Sequence, residues 1–492
     1  MQETQSSYRS IMKATSLFGG VQVLKIIIAI IRSKVIAILL GPAGMGIEGL
    51  LSSATGMVSS LSNFGLGVSA VRDVAAANEN DNDKRIAKVV AVLRKLVWIT
   101  GMLGAIITFM LASYLSKVTF GNDEYTIAFR WLSCTLLFNQ LASGQNVLLQ
   151  GLRKLEYLAK ANLVGSFIGL LVSLPLYYYF KFDGIVPAII LSSLLYLFFS
   201  WFFARKVIIE KVKVTPREVI FEGKEMMKMG FMLSLSGLIT VGASYLVRIY
   251  ISSIGGIDDV GLYTAGFALI FSYVGLVFTA MATDYYPKLS GVVKDNKKAI
   301  LLINQQAEIG ILILAPILTI FLIFINGIVI ILYSTKFIPV NEMIHWAALG
   351  MYFKMASWAI AFILLAKGES KLFFWNELVV NIYMLALNIL GYYWKGLDGL
   401  GISFLITYFL YFLQVYYLTK FKYKFSFNRS FTKIFGIQLL IGICCFIIIK
   451  FFSAPYSYIV GVLLIMISSW YSFKELDNRM DLKSILTKYK GK

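Results

Sequence analysis

Five cations lie inside long apolar stretches of this chain: Lys25, Arg32, Arg130, Arg248 and Lys354. A charge held at mid-membrane depth costs a few kcal/mol on insertion scales, so such residues face protein or water and mark a pathway. Only Glu48 and Glu377 oppose them at comparable depth, which leaves a surplus of about three positive charges. The chemistry this predicts is non-covalent capture of an anion. Gln22, Lys25, Ala29 and Arg32 fall at i, i+3, i+7 and i+10, which places an amide and two cations on one helical stripe. Ser236, Thr240, Ser244, Arg248 and Ser252 recur every four residues as a line of hydroxyls ending in a guanidinium. A third polar face carries Glu48, Ser52, Thr55, Ser59 and Ser62.

Hydroxyl-lined walls with guanidinium groups suit a ligand that has both hydroxyls and a phosphate. Arginine binds phosphate oxygens bidentately, and lysine supplies a point charge. A sugar linked through pyrophosphate meets that description. A purely structural reading competes at each position. Serine and threonine in membrane helices pack closely or bond their own backbone. Arg32 can pair with Glu48, Arg130 can anchor at the outer interface, and Lys34 and Lys450 read as snorkelling residues near helix ends. Lys25 has no acid nearby in sequence and is the firmest candidate for the ligand. Glu377 and Asn381 share a helix face one span away from Lys354, which allows a buried ion pair. Glu48 and Glu377 are also the candidates for coupling to H+ or Na+.

The elements that carry these residues follow from composition. Of 492 residues, 58% are hydrophobic and 15% charged, a balance that places the chain in a membrane. Apolar runs of spanning length occur at 14–40, 44–71, 89–114, 126–149, 157–180, 184–207, 229–253, 260–283, 307–333, 343–366, 371–394, 399–419, 433–452 and 456–473. They are continuous rather than alternating, so they predict an all-α polytopic membrane protein of about 14 transmembrane helices and not a barrel. The polar start, Met1 to Lys13, leads into a first span longer than a signal-peptide core and without a small-residue cleavage site, so this helix is expected to be retained.

The formal net charge of +20 is placed asymmetrically. With both termini cytoplasmic, the inside segments hold 35 lysines and arginines and the outside loops hold four. That is the positive-inside pattern, so the basic balance points to orientation and not to nucleic acid. The three cysteines fall in predicted spans and imply no disulfide framework, and one histidine is too few for a metal site.

The chain repeats. Lys13, Arg32, the run Leu40-Gly41-Pro42-Ala43-Gly44-Met45-Gly46 and Arg72 in the first half match Lys228, Arg248, the run Ile254-Gly255-Gly256-Ile257-Asp258-Asp259-Val260-Gly261 and Pro287-Lys288 in the second, at nearly equal offsets. Two six-helix lobes are expected, the arrangement of many alternating-access carriers. The expected organisation is an N-terminal lobe at 1–212, an interfacial linker helix and second lobe at 213–422, and an additional helix pair with a basic tail at 423–492. In the linker, Thr215-Pro216-Arg217-Glu218 combines a capping box with proline at the first helical position. The helix it starts is read as amphipathic and interfacial, with Val219, Ile220, Met226 and Met227 toward lipid.

The paired glycine runs, with Tyr286-Pro287-Lys288-Leu289-Ser290 closing the eighth span, resemble the multidrug/oligosaccharidyl-lipid/polysaccharide exporter superfamily. Within it the chain resembles the O-antigen translocases, or Wzx-type flippases. The resemblance implies two lobes in a V around a central cavity that opens to each side in turn. It further implies translocation of undecaprenyl-pyrophosphate-linked oligosaccharide across the bacterial inner membrane, among membrane lipid and other glycan-assembly proteins, with no cofactor. Lys25, Arg32 and Arg248 match the cavity cations of related flippases, whereas Arg130 and Lys354 come from the burial argument alone. Gln22, Ser52, Thr55, Ser59, Thr240 and Ser244 complete the expected sugar-pyrophosphate cavity. The helix pair after Lys433 departs from a twelve-helix pattern and resembles the lipid II flippases, which keeps a peptidoglycan precursor as an alternative substrate. A multidrug cation antiporter would be expected to line its cavity with acids or aromatics. A glycan polymerase or ligase would need a substantial outer loop, and no outside loop here exceeds roughly a dozen residues. A scaffold for glycan assembly is the remaining reading, under which loss of the buried cations would leave export intact.

Overall fold

Backbone amides have no water to bond in hydrocarbon, so an apolar chain of this kind must satisfy them within helices. The structure, a computed structural model, describes residues 21–480 other than 22, 80–82 and 211. Among the described residues there is no strand. The polar start and the last twelve residues lie outside the description, as does Gln22.

The first helix, α1, occupies residues 23–39. It is followed by α2 (Gly41–Ser62), α3 (Leu66–Glu79), α4 (Asp83–Met110), α5 (Ala112–Phe120), α6 (Thr126–Gly151), α7 (Leu155–Phe180), α8 (Ile185–Ala204) and α9 (Pro216–Ala268). After a π-helical turn at Leu269–Val274 come α10 (Leu276–Val292), α11 (Asn296–Leu332), α12 (Asn341–Ala366), α13 (Ser370–Tyr423), α14 (Arg429–Phe451) and α15 (Tyr456–Met480). Eight stretches among the described residues are apolar and long enough to cross a membrane, and two of these, 155–204 and 371–423, are long enough to cross it twice. The protein is a multi-pass membrane protein. The expected spans from 89 on, other than 126–149, overlap these stretches; 44–71 and 126–149 fall on α2, α3 and α6, and residues 14–20 of the first expected span lie outside the described residues. A 3-10 turn at Lys181–Gly184 parts the stretch 155–204, and Lys395 with Gly396 parts 371–423 inside α13; α9 is bent in the same way at Gly256, at φ 83°.

Two boundaries differ from expectation. The predicted span 44–71 is interrupted at Asn63–Gly65, where Phe64 and Gly65 take positive φ. Gly65 lies directly against the Gly230 carbonyl, and Asn63 Oδ1 accepts from the Gly65 amide at 2.8 Å and from Ser234 Oγ at 2.9 Å, so the turn is fixed by α9. The interfacial helix expected from Pro216 is no separate element but the first turns of α9. Its capping box is formed: Glu218 Oε2 accepts from the Thr215 amide at 2.8 Å while the Glu218 amide donates to Thr215 Oγ1 at 3.3 Å. Val219 and Met226 do not face lipid. They are buried against Val89, Leu93 and Leu96 of α4, with Met227 packed beside them, while Ile220 and Phe221 are exposed. Lys88 to Glu218 and Glu222, at 3.2 and 3.4 Å, and Arg85 to Glu222, at 2.8 Å, hold the segment down on α4.

The chain forms two compact units, 1–261 and 262–492. In the first, the two glycine runs of the repeat meet each other. A β-carbon on Gly46 would run into the Ile257 carbonyl, and one on Gly261 into the Pro42 carbonyl. Membrane helices gain no hydrophobic driving force from one another and associate by close backbone packing, which small residues permit. The repeated glycines therefore have a packing reason. In the second unit, α12 is the most enclosed span. Ile360, Ile363 and Leu364 of α12 join Val415, Tyr423 and Phe425 in a buried cluster.

Candidate functional site

The stripe on α1 is aimed inward. Lys25, Ala29 and Arg32 line a pocket of about 460 Å³ in the first unit, whose other walls include Glu48 and Ser52 of α2, Asn139 of α6, Ser166 of α7 and Tyr196 of α8. That size falls in the ordinary range of small-ligand sites, about 300–1,000 Å³. Gly165 and Gly169 of α7 let α8 approach closely at Tyr196 and Ser192, which closes the far wall.

The two cations have different partners. Arg32 is ion-paired to Glu48 at 2.5 Å and donates to the Tyr177 hydroxyl at 3.2 Å, while its buried Nε has no acceptor. Lys25 Nζ donates to the neutral Asn162 Oδ1 at 3.1 Å and makes no ion pair among the described residues. Asn162 is held in turn, since its Oδ1 also accepts from Tyr196 OH at 2.6 Å and its Nδ2 donates to the Leu158 carbonyl at 2.9 Å. Asn146 donates to Tyr196 OH at 2.8 Å and extends the chain. The pocket thus holds two cations against one carboxylate, and the uncancelled charge is the ammonium of Lys25. An amide oxygen is a weaker partner for an ammonium than a phosphate oxygen, so this hydrogen bond is exchangeable.

Lys25, Arg32, Glu48 and Ser52 are brought together; the other candidates stand elsewhere. Thr55 turns its hydroxyl onto the Leu51 carbonyl of its own helix at 2.8 Å, and Ser59 is half-buried. Arg248 is half-buried on α9 and donates to Ser244 Oγ and, at 3.2 Å, to the Ser244 carbonyl, while Thr240 is exposed. Arg130 is exposed, its guanidinium 5.8 Å from the ring of Phe109.

Lys354 and Glu377 belong to the second unit, and neither makes an ion pair among the described residues. Lys354 Nζ sits among aromatic faces, 3.9 Å from the centroid of Phe271, 5.1 Å from Tyr408 and 5.4 Å from Phe278. Cation–π contacts of this kind hold a desolvated ammonium by about 2 kcal/mol. Phe271 lies in the π-helical turn, a distortion frequent at functional sites. Glu377 Oε1 accepts from Tyr411 OH at 3.0 Å. Asn376 donates to the same hydroxyl at 3.3 Å and accepts from Gln414 at 2.8 Å.

With this geometry in place, comparison with known proteins gives the family. The model of the family described as polysaccharide biosynthesis protein matches residues 35–342. The chain belongs to that family. Glu48 and Arg248 lie within the matched stretch, and Lys25, Arg32, Lys354 and Glu377 lie outside it. Among relatives, the chain is 24% identical over 381 residues to a putative O-antigen transporter of Shigella flexneri, covering 75% of this chain and 87% of the relative. It is 19% identical over 408 residues to the lipid III flippase of Escherichia coli (strain K12), covering 82% and 96%. Its fold is shared with solved membrane transporters. It superimposes on the lipid II flippase MurJ in an inward closed conformation with a TM-score of 0.73 at 14% identity, over 94% of this chain and 99% of that one. An inward-facing multidrug resistance MATE transporter gives 0.64 at 14% identity, over 82% and 94%.

Some residues at these sites are missed by sequence reasoning. Asn162 is an isolated amide in the span 157–180, and that isolation is a usable signal. Tyr177, one of three consecutive tyrosines, and Phe271, one of 37 phenylalanines, carry none.

Proposed function

We propose that this chain is a flippase that carries an undecaprenyl-pyrophosphate-linked O-antigen or other polysaccharide repeat unit across the bacterial inner membrane by alternating access. The observation that carries the reading is the pocket of the first unit, where Lys25 stands without a carboxylate beside the paired Arg32. Its membership of a polysaccharide biosynthesis family and its likeness to proteins named as O-antigen transporter and lipid III flippase support the same reading, and they speak for a transporter and not an enzyme.

In this mechanism a diphosphate oxygen replaces Asn162 Oδ1 as the acceptor for Lys25, and Arg32 Nε supplies a second donor without leaving Glu48. Ser52, Ser166 and Ser192 line the same pocket and offer hydroxyl contacts to the headgroup or the first sugar. Glu48 is engaged in holding Arg32. Glu377, bonded to a tyrosine hydroxyl and to no cation among the described residues, is the carboxylate open to a coupling H+ or Na+. The excess of basic residues in alternate loops supports a cytoplasmic position for both termini.

The test is flipping in proteoliposomes loaded with a defined lipid-linked oligosaccharide, with and without proton and sodium gradients. Lys25→Ala is expected to slow flipping by at least about tenfold, the loss of one charge-assisted contact, while Lys25→Arg keeps part of the activity. Unchanged flipping by Lys25→Ala at equal reconstitution removes this pocket from the pathway. Flipping of lipid II in preference to the O-antigen precursor reassigns the substrate.

A further inference from the structure

Lined by α4, α6, α8 and the segment after α8, away from the Lys25 pocket, lies a hollow of about 830 Å³. Its walls are sorted by chemistry. Trp98, Leu194, Phe198 and Trp201 give apolar and aromatic walls, and Arg94 and Arg205 line the same hollow. Trp98, Phe198 and Trp201 are each about half exposed, at 52%, 49% and 45%. Phe198 and Trp201 lie in the last two turns of α8, and exposed aromatic side chains near the end of a spanning helix are typical of the membrane interface. The Arg205 guanidinium stacks 4.8 Å from the Trp201 ring, and neither Arg94 nor Arg205 makes an ion pair among the described residues. A second hollow of about 460 Å³ shares Arg94 and adds Lys95, Lys213 and Glu210. The lining of the two hollows is therefore cationic in balance.

We propose that this hollow binds an anionic phospholipid of the surrounding leaflet. Its phosphate would be held between Arg94 and Arg205, with an acyl chain laid along Trp98, Leu194 and Phe198. The two guanidiniums make no ion pair among the described residues, apolar and aromatic side chains line the same hollow, and two of those aromatics lie near the end of a spanning helix. Planar guanidiniums match phosphate oxygens bidentately. A zwitterionic lipid would bring its own cation to an already positive lining. Nothing in the proposed transport cycle uses these residues, so the inference stands apart from that reading.

The experiment uses the full chain in nanodiscs of phosphatidylcholine containing a minor fraction of phosphatidylglycerol brominated on its acyl chains. Quenching is assigned to the hollow as the difference between wild type and the Trp98→Phe/Trp201→Phe variant. Local enrichment of the brominated anionic lipid on the order of tenfold over its bulk fraction is expected, since basic residues at the surface add up in their attraction for acidic lipid. Brominated phosphatidylcholine at the same fraction should show no enrichment. Arg94→Gln/Arg205→Gln should bring the anionic lipid to its bulk value, and high salt on the wild type should act the same way without any substitution. Equal quenching by both lipids, or enrichment indifferent to salt, overturns the proposal. Displacement of phosphatidylglycerol by an equimolar polyprenyl diphosphate would also overturn it, because the hollow would then be a substrate site.

Discussion

The Arg32–Glu48 pair decides how the pocket charge should be understood. A partly buried ion pair adds little net stability over an apolar alternative, but deleting one partner strands the other charge in a poor solvent. The side chains are 30% and 20% exposed, so water offsets part of that penalty. Arg32→Ala and Glu48→Ala are each expected to lower the melting temperature in detergent, and the double variant should recover part of the loss. A thermal double-mutant cycle should give a coupling energy of about 1–2 kcal/mol, and strict additivity would mean that the contact has no structural weight. Lys25 belongs to a different class. Its partner is an amide, so Lys25→Ala should leave the melting temperature nearly unchanged while flipping falls, a separation that distinguishes a ligand contact from a packing residue. At this scale the sequence was informative about types and poor about partners. The i, i+3, i+7 and i+10 stripe correctly placed Lys25 beside Arg32 because helical phase is local. It was silent on Asn162 and Tyr177, which reach the stripe from more than 130 residues away.

Between elements, the closest approaches are made by glycine. Gly46 and Gly261 stand where the Ile257 and Pro42 carbonyls leave no room for a methyl group, whereas Gly56, on the same helix as Gly46, has open space around it. Gly56→Ala should raise the melting temperature slightly, because alanine is favoured over glycine in a helix by about 1 kcal/mol. Gly46→Ala and Gly261→Ala should lower it, and the same sign for all three in a thermal shift assay would remove the packing account of the repeat. The foot of α9 is governed by charge instead. Hydrogen bonds from the Thr215 amide and hydroxyl, with Lys88 nearby, bring the Glu218 carboxyl from its ordinary 4.5 down to about 2, and Arg85 lowers that of Glu222. A carboxyl depressed by folding stabilises the folded form above its unfolded value and ceases to do so as pH falls through the folded one. The contact of this segment with α4 should therefore hold from neutral pH to about 4.5 and loosen between there and about 2. A spin label at Ile220, which is exposed, would report the change as increased mobility, and Glu218→Gln should show that mobility already at neutral pH.

For the molecule as a whole, hydropathy made the polytopic helical class legible, because apolar runs of spanning length leave few alternatives. The paired glycine runs, read together with the shared offsets of their flanking cations, pointed to the superfamily. Interruptions were harder to foresee. The turn at Asn63–Gly65 sits inside an apolar run and owes its shape to Gly230 and Ser234, which no local pattern announces. The seventh span packs within the first unit through contacts such as Thr119 to Tyr245, a tertiary preference that a count of spans does not contain.

The unbroken run of α9 from Pro216 to the bend at Gly256 has a mechanical consequence. At 1.5 Å per residue it is a rod of about 60 Å, roughly twice the hydrocarbon thickness. Its foot is clamped by Lys88 and Arg85, and its far half bears Arg248. Such a rod passes a tilt along its length without absorbing it, so a push on the foot would swing the distant guanidinium sideways as the tip of a lever.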